Sequence, residues 1–186
     1  MNRLEAIRRI MDGLTGPELI IHANGAMGRE SFACADRKEN FYLLGSMGLA
    51  ASVGLGVALS RPEREVWVLD GDGNVLMGLG NLALIGALKP KNLTHWVLDN
   101  GVYGTTGNQP TLSPLLSLSA IAEACGYAKI QKAGTVEEIA RAVKNCKKSP
   151  GPHFVQIKIS SETPPACPRI PYSAQEIAER FRKSML

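Results

Sequence analysis

Two stretches of this chain end in the same way. Glu65 to Leu69 is a β-branched and aromatic run that gives way to Asp70-Gly71-Asp72-Gly73-Asn74. Thr94 to Leu98 is a second such run, and it gives way to Asp99-Asn100-Gly101. Continuous apolar runs of this length predict strands buried on both faces. Between them residues 74–88 form an apolar helical stretch stopped by Pro90. Strand, helix, strand in that order requires a crossover, and crossovers between parallel strands are right-handed. Both strands must then finish at one edge of a sheet, each with a tight turn and a side-chain oxygen.

The same alternation runs through the chain. Leu4, Ile7, Ile10, Met11 and Leu14 fall at helical spacing, and Gly16-Pro17 ends that first helix. A short strand over residues 18–22, a helix over about 27–35 and a strand over 41–44 follow. Gly45-Ser46-Met47-Gly48 reads as a turn into a small-residue helix, 49–59, whose Gly54 and Gly56 face predicts close packing. Beyond a Gly, Thr and Pro-rich loop from Asn100 to Pro114, helices are expected over 116–125 and from Thr135, and strands over 127–130 and 154–159. Thr135 with Glu138, and Ser173 with Glu176, have capping-box spacing. The pattern predicts an α/β fold: three layers, α/β/α, around a doubly wound, mainly parallel sheet. Residues 1–162 read as one domain, and 163–186 as a proline-rich connector and a final helix packed on the domain or on a partner.

Composition removes several classes of function. The 186 residues suffice for one real core, and the net charge of +4 is a mild excess spread along the chain. No basic patch predicts nucleic-acid binding. The four cysteines, Cys34, Cys125, Cys146 and Cys167, contain no CxxC pair, so zinc-ribbon and iron–sulfur motifs are absent. The apolar stretch from Met47 to Leu59 is too short to span a bilayer, and charges interrupt any leader-like run at the start. The expected setting is cytoplasmic, without a membrane partner.

Ligands of such sheets bind outside the carboxyl ends of the strands. Three glycine-rich polar turns fall there: residues 45–48, 71–74 and 99–108. Asp72 offers a carboxylate, Asn100 an amide oxygen, and Val102 a backbone carbonyl just beyond it. Gly71 and Gly73 let a ligand approach the main chain. That donor set suits Mg²⁺ carried by a diphosphate. Other phosphate motifs fail: Leu76 stands where a dinucleotide fingerprint needs its third glycine, and no Gly-Lys-Ser or Gly-Lys-Thr occurs. Gly45-Ser46-Met47-Gly48 also falls one residue short of a nucleophile elbow.

Gly71-Asp72-Gly73 through Asn100 resembles the diphosphate-binding motif of thiamine-diphosphate enzymes. Leu44-Gly45-Ser46-Met47-Gly48-Leu49 resembles their aminopyrimidine-holding segment. With Asp99 to Gln109 included, the pattern is most similar to the beta subunits of sulfopyruvate decarboxylases, and phosphonopyruvate decarboxylases share it. The resemblance implies thiamine diphosphate and Mg²⁺ as cofactors and decarboxylation of a small 2-keto acid. It implies Asp72, Asn100 and the Val102 carbonyl as metal ligands, with Gly71, Gly73 and Asn74 at the diphosphate. Gly45, Ser46 and Met47 would hold the aminopyrimidine, Met47 as the wedge beneath the bent cofactor. Tyr103, Gly104 and Thr105 would complete the cofactor wall, and Thr106, Asn108 and Gln109 would face substrate. These enzymes activate the aminopyrimidine with a glutamate from a separate pyrimidine-binding domain. Glu30 and Glu39 lack its setting, so the glutamate is expected from a partner alpha subunit, with self-association of the assembly. His22 is expected either near the site or as a satisfied strand-end histidine, and His95 and His153 as structural.

Overall fold

The computed structural model describes residues 1–162 and 167–186. The elements are α1 (Arg3–Met11), β1 (Leu19–His22), α2 (Ala26–Cys34), β2 (Asn40–Tyr42), α3 (Ala50–Ser60) and β3 (Val66–Gly71). Next come α4 (Asp72–Met77), α5 (Gly80–Leu88), β4 (Leu93–Asp99), β5 (Val102–Tyr103), β6 (Gln109–Pro110) and α6 (Leu118–Cys125). The last are β7 (Lys129–Ala133), α7 (Val136–Cys146), β8 (His153–Lys158) and α8 (Ala174–Ser184).

Six strands make one parallel sheet in the order β2-β1-β3-β4-β8-β7. β3 and β4 lie at its centre, which explains their unbroken apolar runs: every residue of β4 is buried. Trp67 and Trp96, from these two strands, pack 5.3 Å apart in the core. α1 touches α2 and α7 on one side of the sheet, while α5 touches α3 and α6 on the other. The chain steps from β1 out to β2, then crosses back to β3 on the far side of β1. The strand order therefore reverses between β1 and β3, which is where open α/β sheets leave a crevice.

Helix ends follow the local sequence. Asn2 with Glu5, Thr135 with Glu138, and Ser173 with Glu176 form reciprocal capping boxes on α1, α7 and α8. Gly126, at φ 102°, closes α6 in the left-handed conformation. α8 packs on β2, where Phe181 meets Phe41 at 5.4 Å between ring centres. The connector expected ahead of α8 begins at residues 163–166, outside the described residues.

Three expectations need correction. Residues 74–88 are not one helix: α4 begins at Asp72, and the run breaks at Gly78 before α5. A Cβ on Gly78 would sit 2.1 Å from the Gly48 carbonyl oxygen, so the break makes room for the turn at 45–48. The Asn100 to Pro114 segment is not structureless, because β5 and β6 pair as an antiparallel hairpin within it. Gly54 does meet β3 closely, its Cβ position falling 2.2 Å from Val68 Cγ2, but Gly56 faces open space.

Candidate functional site

The carboxyl ends of β1, β3 and β4 surround one cavity of about 110 Å³. Asn24, Gly25 and Ala26 approach it from β1, and Gly71 to Asn74 from β3. Asn100 and Val102 to Thr105 approach it from β4, and Met47 reaches in from the turn before α3. Gly25, at φ 89°, starts α2 with no side-chain cap, which leaves that helix's first N–H groups for a ligand or water.

The turn after β3 is built for close approach. A Cβ on Gly73 would lie 2.5 Å from Tyr103 Cε1 and 3.4 Å from Met47 Cε, so only glycine fits beneath the tyrosine ring. Asn74 is buried, and its Oδ1 accepts the Gly48 N–H, tying α4 to the turn at 45–48. Its Nδ2 is also buried and has no partner among the described residues. Asn81 Nδ2 donates to the Gly48 carbonyl at 2.9 Å, locking the same turn from α5.

Asp72 is only 2% exposed. Thr111 Oγ1 donates to its Oδ2 at 2.5 Å. The Ser113 N–H donates to Thr111 Oγ1, and Ser113 Oγ donates to Asp99 Oδ1 at 2.6 Å. Asp99 Oδ2 accepts from Gln156 at 2.6 Å and from Lys158 at 2.5 Å. Residues 111–113 thus brace the ends of β3 and β4 together. Burial pushes the Asp72 carboxyl above the ordinary aspartate range, with Asp99 adding to it and Thr111 opposing. Burial acts the same way on Asp99, but its Lys158, Ser113 and Gln156 donors outweigh it and hold that carboxyl low. Asn100 Oδ1 accepts the Val102 N–H at 3.2 Å. Val102 pairs across the hairpin with Pro110, which has no N–H to offer its carbonyl.

Met47, Gly71, Asp72, Gly73, Asn74, Asn100, Val102, Tyr103, Gly104 and Thr105 therefore share one cavity. Gly45 and Ser46 are exposed and lie outside its lining. Thr106, Asn108 and Gln109 are exposed as well; Thr106 Oγ1 donates to Gln109 Oε1 at 2.9 Å, within the hairpin's own tip. Sequence reasoning missed Asn24-Gly25 as a cavity wall, although it is a third strand-end turn of the same chemistry. It also missed Thr111 and Ser113, whose hydroxyls carry no spacing signal.

His22 ends β1, as expected, but it is fully buried and stacks on Tyr42 at 4.8 Å between ring centres. Burial lowers its pKa to about 3, so it is neutral. His95 is structural, lying between Asp70 Oδ2 and the Tyr127 hydroxyl at 3.1 Å each. His153 sits at the start of β8 beside Thr94 and Ser149.

A parallel sheet with a diphosphate-sized cavity at its switch point defines a cofactor-binding α/β domain, and comparison with known families gives the class. Residues 25–157 match the family described as thiamine pyrophosphate enzyme, C-terminal TPP binding domain, and the chain belongs to that family. The sulfopyruvate decarboxylase subunit beta of Methanothermobacter thermautotrophicus is 42% identical over 186 residues, covering 100% of this chain and 96% of that one. The phosphonopyruvate decarboxylase of Streptomyces viridochromogenes is 41% identical over 180 residues, 97% of this chain but 45% of the relative. The chain thus spans less than half the length of that relative. Among solved structures, the thiamine diphosphate-dependent 4-hydroxybenzoylformate decarboxylase of Rhodococcus jostii RHA1 superposes with a TM-score of 0.73 at 18% identity, over 86% of this chain and 33% of that one. That likeness concerns the fold.

The residues present fit the family's cofactor. The uncapped start of α2 suits diphosphate oxygens, and Gly71 to Asn74 line the same cavity. No helix among the described residues is long and apolar enough to cross a membrane.

Proposed function

We propose that this chain is the cofactor-binding beta subunit of a thiamine-diphosphate-dependent decarboxylase. It would convert sulfopyruvate to sulfoacetaldehyde and CO₂. The carrying observation is that Asp72, Asn100 and Val102 line one cavity with Gly73 and Asn74. End-to-end similarity to a relative named as the beta subunit of sulfopyruvate decarboxylase supports the substrate. Phosphonopyruvate is the second reading, favoured by the 41% identity to a decarboxylase of that name.

Asp72, Asn100 and the Val102 carbonyl would hold Mg²⁺, with the diphosphate filling the remaining positions. Among the described residues no cluster of three His, Cys, Asp or Glu side chains offers another metal site. The bound cofactor supplies an electron sink for the pair released as CO₂ departs. This chain's part is to anchor the anionic tail, to fix the bent shape with Met47, and to keep water from the diphosphate side.

The aminopyrimidine-activating glutamate would come from an alpha subunit. Glu30, one internal candidate, is buried and held by Arg3 through two contacts of 2.8 and 2.6 Å. Glu39, the other, lies 3.7 Å from Arg37. The cavity of about 110 Å³ is also well below the roughly 300–1,000 Å³ of a pocket that encloses a whole ligand. The rest of the cofactor would then lie against the partner. Exposed Leu49, Met77, Leu84 and Leu88, on or beside α3 to α5, supply an apolar surface for subunit contacts.

The test is co-expression with an alpha-type chain, followed by CO₂ release from sulfopyruvate and phosphonopyruvate. Turnover should require both chains, thiamine diphosphate and Mg²⁺. Absence of turnover in every pairing removes the decarboxylase reading.

A further inference from the structure

A second cleft, of about 540 Å³, adjoins the cofactor cavity at Gly25, which lines both. Arg29, Arg169, Leu43, Leu44 and Tyr172 form its other main walls. No acidic side chain lines it. Neither Arg29 nor Arg169 makes an ion pair or a hydrogen bond among the described residues. Two neighbouring carboxylates are engaged elsewhere. Glu30, next to Arg29, is taken by Arg3. Asp36, the carboxylate nearest Tyr172, accepts from the Tyr172 hydroxyl at 2.9 Å and from Arg180 at 2.8 Å. Two guanidinium groups without a partner among the described residues thus line one cleft with aliphatic and aromatic walls, and that cleft meets the cofactor cavity at Gly25.

We infer that this cleft is the subsite for the substrate's second anionic group, a tetrahedral oxyanion such as a sulfonate or phosphonate. The inference rests on the decarboxylase reading above. A guanidinium presents paired N–H donors in a fixed plane, which matches two oxygens of a tetrahedral group. Leu43 and Leu44 add apolar wall beside the two arginines. The reacting carboxylate and keto groups then lie toward Thr105 and the cofactor cavity, and the second anion is held away from them. Arg29 and Arg169 select for dianionic 2-keto acids and against uncharged side chains of the same length.

The test uses the co-purified complex with Arg29→Met, Arg169→Met and the double variant. Sulfopyruvate and phosphonopyruvate are compared with pyruvate, which lacks the second anion. Binding of sulfoacetate and of phosphonoacetate, which do not react, is measured separately by calorimetry. Each single variant should lose about 10–100-fold in kcat/KM for the dianionic substrates, through KM. Pyruvate turnover and thiamine diphosphate affinity should stay unchanged. The two non-reacting acids show which oxyanion the cleft prefers, and both should bind the double variant at least tenfold more weakly. An equal loss for pyruvate, or undiminished binding of both acids to the double variant, overturns the subsite. If the wild-type complex turns over no keto acid, the decarboxylase reading falls, and calorimetry alone judges the cleft. Binding lost in the double variant then upholds an oxyanion site, and no binding to wild type overturns it.

Discussion

Asp72 shows how much a single residue depends on its surroundings. Its carboxylate is buried, and Thr111 donates to it. As the proposed metal ligand it should be indispensable: Asp72→Ala should abolish Mg²⁺-dependent retention of thiamine diphosphate in calorimetry, and retention at normal affinity would refute the metal assignment. Thr111 acts through Asp72 rather than on any ligand. Thr111→Val should weaken Mg²⁺-dependent cofactor binding by about 10–100-fold, and Thr111→Ser should restore it. A loss of thermal stability without a change in affinity would show a merely structural hydroxyl. Asp72, Asn100 and Gly73 were legible in the sequence because glycine and short oxygen-bearing side chains at a strand end have few other uses. Thr111 was not, because a threonine in a loop has many. Thr106, Asn108 and Gln109 were expected to face substrate; all three are exposed at the hairpin tip, where Thr106 donates to Gln109.

At the scale of elements, glycines decide how closely neighbours approach. α5 packs against the end of α6 through Gly86, where a Cβ would fall 1.9 Å from the Cys125 carbonyl oxygen. Both sides of that contact are backbone, so no side chain can swing aside. Gly86→Ala should cost about 1–3 kcal/mol in urea unfolding, as overpacking does. Gly56→Ala, in the open face of α3, should instead be neutral or stabilising by up to about 1 kcal/mol. Equal effects at the two positions would contradict this account. Capping boxes were readable because their chemistry is local, complete within four residues. The break at Gly78 was not, because its cause is the Gly48 turn, thirty residues earlier in sequence and in contact only once the sheet has formed.

For the molecule as a whole, the alternation of strands and helices was enough to give the layers and the parallel sheet. Strand order was beyond local pattern, since it depends on which edges pair. One long-range tie joins the start of β1 to the end of α7: Lys147 donates to Glu18 at 3.0 Å. Burial alone would raise the Glu18 pKa. The Thr15 and Gly16 N–H groups and Lys147 outweigh it and bring it to about 2 from an ordinary 4.5. A depressed folded-state pKa adds stability above about pH 4.5 that is lost as pH falls toward 2. Lys147→Met should therefore lower Tm near neutral pH, and its gap from wild type should close as pH falls through that window. A gap independent of pH would show that the ammonium is not what holds Glu18 charged.

The unpartnered Asn74 Nδ2 carries a further consequence. A buried donor without an acceptor costs roughly 1–3 kcal/mol, and the empty protein bears that cost continuously. A ligand oxygen that reached it would remove that cost, so loading and folding would draw on the same free energy. The chain would then be least stable when empty. The supply of its cofactor would then govern how long each newly made copy escapes proteolysis, as well as how fast the finished enzyme works.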